Sequence, residues 1–206
     1  MDVAHIFLER YDPLYNFWLG GLWTEVPAEL MRVRPHPQIN SIAWNLWHLT
    51  RVEDTAVNCF IAGLPQVLDA GATGDASALD VAGDWAQRMN IPWRYLSTDM
   101  TLTEVDEFDA RIDLAALQGY SQAVEARTRA VVAELDRFDL DATLDEPFLR
   151  RVLFDEGVAH PNSAGLLQNY LGWTKSKALF NLALTHAYQH VGEIGVIATL
   201  LGITFD

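Results

Sequence analysis

The sequence predicts an all-α protein, a bundle of four main helices joined by long crossover connections and carrying short extra helices. Three observations lead there. Four stretches set apolar residues at steps of three and four, the spacing that gathers them on one helix face. Two of the connections between these stretches are long, as crossovers in a bundle are. No period of about 20–50 residues recurs, which argues against a repeat array.

Residues 2–23 carry Val3, Ile6, Phe7, Tyr11, Leu14, Phe17, Trp18 and Leu22 at helical spacing. Asp12 and Pro13 resemble a cap and a first-turn proline, giving either one kinked helix or a short one followed by a longer one, with Gly20 and Gly21 as its expected end. After Pro27, Pro35 and Pro37, Asn40 or Ser41 is placed to cap a second helix running to about Ile61, stopped by Gly63 and Pro65. At 100° per residue Ser41, Trp44, His48, Val52, Thr55 and Cys59 share one face, so His48 points wherever that apolar face points. Residues 62–110 form a mixed connection, with a flexible stretch over 71–77, a short helix over 84–90, a break at Pro92 and a turn capped by Thr103. A structureless linker of that length is unusual in a compact domain, and Trp85 and Trp93 argue that part of it packs on the bundle as a pocket wall. The third helix, over 113–138, places Leu117, Tyr120, Val124, Thr128, Val131, Leu135 and Phe138 on one side, with charges between them. Residues 148–154 fit a short extended piece, and Asn162 or Ser163 a cap for a short helix reaching Trp173. The last helix, over 176–201, is apolar nearly all round, as a centrally buried element would be. Leu179, Leu182, His186, His190, Glu193 and Ile197 share one narrow face of it.

Composition narrows the function. At 206 residues, half of them hydrophobic and including seven Trp, nine Phe and six Tyr, the chain fits one folded domain over residues 1–206 with a sizeable core. The 14 basic residues against 28 acidic ones give a formal charge of −14, which repels nucleic-acid backbones and anionic membranes alike. A lone cysteine, Cys59, builds no internal disulfide framework, which points to a reducing compartment. With no signal-peptide pattern at Met1 to His5 and no apolar run of about 20 residues, the expected location is the cytoplasm.

The chemistry concentrates in His186-Ala187-Tyr188-Gln189-His190, where the i,i+4 spacing sets two imidazoles one turn apart on a single face. Both can reach one ion, and three protein ligands plus an open position is the usual catalytic zinc arrangement. His48, on the apolar face of another bundle helix, is the third candidate, because a shared metal would satisfy three inward imidazoles that are otherwise costly in a core. The plainer alternative is that each histidine is a hydrogen-bonded core residue, since an isolated His-x-x-x-His pair is a weak motif. The zincin pattern is absent, because Tyr188 and Gln189 occupy the interval where its glutamate would stand.

Two runs, Ser41-Ile42-Ala43-Trp44-Asn45-Leu46-Trp47-His48-Leu49 and Thr185-His186-Ala187-Tyr188-Gln189-His190-Val191-Gly192-Glu193-Ile194, together resemble the DinB-like (DinB/YfiT) superfamily, and nearly the whole chain follows it in order and length. The resemblance implies a four-helix bundle of up-down-down-up connectivity. It also implies a divalent ion such as zinc or nickel on His48, His186 and His190, and frequent homodimers. Members include transferases and isomerases that use low-molecular-weight thiols such as mycothiol or bacillithiol. Fold and metal carry over better than reaction.

Among the remaining residues, Glu193 lies on the face of His190 and is placed to orient a ligand, accept a proton or complete the coordination sphere, unless it points past the metal into solvent. Asn45, nearly one turn before His48, can hydrogen-bond a substrate or a metal-bound water, or simply cap and pack. Glu53 falls about 140° round the helix from His48 and should face away. Cys59 lies about 16 Å along the axis, too far for the same ion. His5, His36 and His160 are expected at the surface, and Trp44, Trp47, Trp85 and Trp93 in the core or a pocket wall. The leading expectation is a metal-dependent enzyme on small molecules, in particular a thiol S-transferase. Its alternatives are a metal-dependent hydrolase with Glu193 as base, a non-catalytic metal or small-molecule binding protein braced by its ion, and an interaction module without metal.

Overall fold

A computed structural model describes residues 2–69 and 84–205 of the chain. The expected flexible stretch over 71–77 lies outside them. The described residues are helical, with one isolated antiparallel bridge, Thr143 to Thr174.

Helix α1 occupies residues 3–25 as three consecutive stretches, Val3–Pro13 (α), Leu14–Leu19 (π) and Gly20–Glu25 (α). Its start is the carboxylate of Asp2, which accepts the Ala4 amide. Pro13 lies inside this helix and does not begin a new one. The wider π turns follow directly after it, which fits a ring that cannot donate to the α ladder. Nor do Gly20 and Gly21 end it: a Cβ at Gly20 would come within 2.9 Å of the Tyr15 carbonyl, so that glycine serves the π turn. The end comes at extended Val26, the residue before Pro27.

A short α2, Ala28–Met31, leads to α3 over residues 42–62, α-helical through Asp54 and π-helical over Thr55–Ala62. The Ser41 hydroxyl caps it on the Trp44 amide, and left-handed Gly63 stops it. Then come α4 (Trp85–Arg88) and α5 (Leu102–Arg111). The cap of α5 is Thr101 and not the expected Thr103, because Glu104 completes a reciprocal capping box with Thr101. Helix α6, Leu114–Ala133, starts on the Asp113 cap and ends before Phe138, where a 3-10 turn takes over. The stretch expected to be extended at 148–154 is helical, forming part of α7 over residues 146–155. There the Asp145 cap and Pro147 in the first turn initiate a helix. Helix α8 is only Leu166–Tyr170, without a side-chain cap from Asn162 or Ser163. Helix α9 runs over residues 175–200, capped by Thr174 and interrupted by a π stretch, Asn181–Thr185.

Side-chain pairings fix the directions of the four long helices. Phe7 meets Phe180 and the Tyr188 hydroxyl donates to the Arg10 carbonyl, so α1 and α9 run parallel. Lys175 donates to the Ile61 carbonyl while His190 meets Asn45, so α3 opposes α9. Arg51 pairs with Tyr120 and Glu53 with Thr128, so α3 and α6 run together. The bundle is therefore up-down-down-up. Among the described residues, no helix is long and apolar enough to cross a membrane.

Two buried polar networks brace this arrangement on the side of α3 away from His48. Asp54 accepts from Asn58, the Val67 and Leu68 amides and Tyr120. Glu53, fully buried, accepts from Tyr11, Tyr15 and Thr128, tying α1 and α6 to α3. Burial raises the Glu53 carboxyl to about 7 from its ordinary 4.5, against the lowering effect of its three donors. A raised acid binds its extra proton only in the fold, so this contribution is fully present below about pH 4.5 and is lost as pH rises through about 7. We expect Glu53→Gln to abolish that decline, worth on the order of 3 kcal/mol at most, and so to shrink the difference in melting temperature between pH 5 and pH 8. An unchanged difference would mean that Glu53 does not titrate in this range.

Candidate metal centre

His48 descends from α3 and His186 and His190 from α9, and antiparallel packing brings them together although 138 residues separate the first two. Nε2 of His186 lies 3.1 Å from Nε2 of His48 and 3.1 Å from Nε2 of His190. One nitrogen from each of the three rings falls within 4.8 Å of the others. His186 opens α9's last α-helical stretch directly after its π turns, so a register shift in the helix sits immediately beside the site. Trp44, one turn before His48, stacks on that ring at 4.9 Å between centroids.

The opposite edge of each of two rings meets at least one group that can only accept. His48 Nδ1 lies 2.6 Å from the Leu96 carbonyl oxygen and 2.6 Å from the Ser97 hydroxyl. His190 Nδ1 lies 2.7 Å from the Glu193 carboxylate and 2.9 Å from Asn45 Oδ1. A carbonyl or carboxylate has no proton to give, so both Nδ1 atoms donate and both Nε2 atoms carry bare lone pairs into the cluster. Nδ1 of His186 is buried without a hydrogen-bond partner.

Burial holds all three imidazoles neutral. His48 is lowered well below its ordinary value, first by burial and then by its two histidine neighbours. Burial also lowers His186, to about 4, and lowers His190 against the opposing pull of Glu193. Two bare nitrogens thus face a third at 3.1 Å, and a single proton among them leaves lone pairs opposed. A divalent cation answers all three at once. Tetrahedral nitrogens at about 2.0–2.1 Å from zinc stand roughly 3.3 Å apart, and the two contacts to His186 at 3.1 Å come within a few tenths of an ångström of that spacing.

The other candidates divide between the edge of this cluster and the rest of the fold. Asn45 and Glu193 both reach the cluster, as partners of His190. Glu53 turns away into the Tyr11, Tyr15 and Thr128 network. Cys59 is buried, its thiol pushed up to about 12 chiefly by burial. His5 and His36 are exposed, but His160 is buried against Tyr95 and Glu104, contrary to the surface position expected for it. Trp47 and Trp93 pack on Phe108 and Trp85 on Tyr120. Leu96 and Ser97 carry no sequence signal of their own. Ser97 reaches His48 through a left-handed backbone conformation (φ +64°), which a serine seldom adopts.

Comparison with known proteins agrees with the fold. A sequence profile described as the DinB superfamily matches residues 19–194. A crystal structure of a conserved protein from Enterococcus faecalis is similar with a TM-score of 0.64 at 17% identity, covering 98% of this chain and 99% of that one. At that identity the likeness concerns the fold. No curated protein matches the sequence significantly.

Proposed function

The chain belongs to the DinB superfamily, and from that premise and its histidine cluster we propose that it binds a divalent ion on His48, His186 and His190 and uses it as an enzyme acting on small molecules. The observation that carries the reading is the convergence of three neutral Nε2 atoms, two of them with their protons fixed on the far side of the ring. Three imidazoles suit zinc or nickel. A low-molecular-weight-thiol S-transferase is the leading reaction, since three protein donors leave a position for a co-substrate and a bound ion would lower the pKa of a thiol or water there. His186 is the partly exposed member of the trio, so solvent and substrate approach from its side.

A hydrolase with Glu193 as base is the alternative, and the geometry favours it less. Glu193 lies on Nδ1 of His190, across the ring from the nitrogen that faces the cluster, which supports an orienting role. Titration calorimetry should find one zinc or nickel bound per chain and none after His186→Ala, with Glu193→Gln weakening binding by about tenfold. A shift of melting temperature with mycothiol, bacillithiol or glutathione would mark the thiol. Collapse of a hydrolytic turnover in Glu193→Gln at unchanged metal content would favour the hydrolase instead. A large loss of melting temperature on chelation, with no response to any thiol, would favour the non-catalytic reading.

We also propose a homodimer formed through the outer face of α1 and α9. Contrary to the expectation that α9 is buried all round, Val196 and Leu200 lie 60% and 58% exposed, and Phe17, Trp18 and Phe205, which line the side of α9 facing α1, are exposed as well. Between the two helices runs a largely apolar groove of about 850 Å³, with Glu25 as the one charged lining residue among the described residues. Gly192 and Gly195 stand in mid-helix with open space where a Cβ would be, which leaves room for another backbone to approach. Two copies, each of net charge −14, repel least along such a strip with few charges, and a two-fold axis presents the same strip on both. Light scattering should give about twice the 23.1 kDa chain mass, and Phe17→Glu, on the rim of the groove, should halve it. A wild-type monomer at micromolar concentration would refute the dimer.

A further inference from the structure

We propose that Ser97 is a positioning residue for His48: the left-handed turn at Leu96-Ser97 presents a carbonyl and a hydroxyl together to Nδ1, fixing the imidazole proton there and aiming Nε2 at His186. Its functional meaning rests on the metal reading above, but the geometry stands without it. The Leu96 carbonyl oxygen accepts from His48 Nδ1 and also from the Ser97 hydroxyl, which leaves the Ser97 oxygen free to accept from the ring as well. The carbonyl contact requires the proton on Nδ1, and the hydroxyl, donating to the same carbonyl, accepts that proton as well.

The backbone shows what this costs. Ser97 sits at φ +64° and Asp99 at φ +63°, a region where glycine or asparagine is the ordinary choice. A turn with no other duty would carry one of those residues, whereas a serine here places its hydroxyl on the ring. Ser97 is 1% exposed, so water does not substitute for the contact.

The turn is gripped from three directions. Arg51, one turn after His48 on α3, donates to the Arg94 carbonyl at 2.5 Å. The Leu96 amide donates to the Val158 carbonyl at 2.9 Å. The Ser163 hydroxyl lies 2.9 Å from the Thr98 carbonyl and 2.8 Å from an Asp99 carboxylate oxygen. Segments from both long crossovers therefore close on one imidazole. His190 differs, since its Nδ1 is held by side chains of α3 and α9 themselves.

The test is Ser97→Gly, which permits the positive φ and removes the hydroxyl together with its Cβ. Long-range proton–nitrogen NMR on metal-free protein should show His48 with its proton on Nδ1 in the wild type and in exchange between tautomers in the variant. The His190 signal should stay unchanged, reporting an intact bundle. Zinc affinity should fall about tenfold. Should Ser97→Gly unfold, Ser163→Ala, which loosens the turn from outside, should produce the same exchange to a smaller degree. A variant that keeps the wild-type His48 tautomer and zinc affinity overturns the proposal. Loss of the tautomer in a protein whose wild-type form binds no zinc would leave the positioning role standing and remove the metal reading.

Discussion

Antiparallel packing of α3 against α9 is the constraint on which the site depends. Neither helix alone can gather three imidazoles. The i,i+4 pair on α9 supplies two, and the third arrives only because α3 runs the opposite way at the level of Asn45 and His48. The rest of the bundle keeps that level. Glu53 ties α3 to α1 and α6, Asp54 ties α3 to the start of its following connection, and Lys175 closes the far end of α9 on the Ile61 carbonyl. Each tie is a buried or part-buried polar contact. Satisfied polar groups of this kind hold packed helices to one register more strictly than apolar contacts do.

Within that frame, the electrostatics of the trio follow from burial and from which edge of each ring is occupied. Burial keeps the rings neutral, and outer acceptors turn two Nε2 lone pairs inward. The outer partners come from different sources: a backbone turn for His48, and an amide and a carboxylate for His190. Such partners fix tautomer and direction before an ion arrives.

The sequence made part of this legible. Helical spacing exposed the pair on α9 and the inward face of α3, and the same angular argument turned Glu53 away and brought Glu193 beside His190. Other features had no pattern to read. The π turns in α1, α3 and α9 break the 100° step on which face-counting relies. The Asp145 start of α7 competed with a β-like composition over 148–154. His160 is buried because Tyr95 and Glu104, distant in sequence, enclose it. The Leu96-Ser97 turn reaches His48 across 48 residues through a backbone conformation that a serine does not announce.

The most direct measurement of the central claim is X-ray absorption at the metal edge on zinc- or nickel-loaded protein. The account predicts a first shell containing three imidazole nitrogens, for zinc at about 2.0–2.1 Å, with the multiple scattering typical of histidine rings. A shell with fewer than three imidazoles, or an ion that washes out of the folded protein, would contradict it.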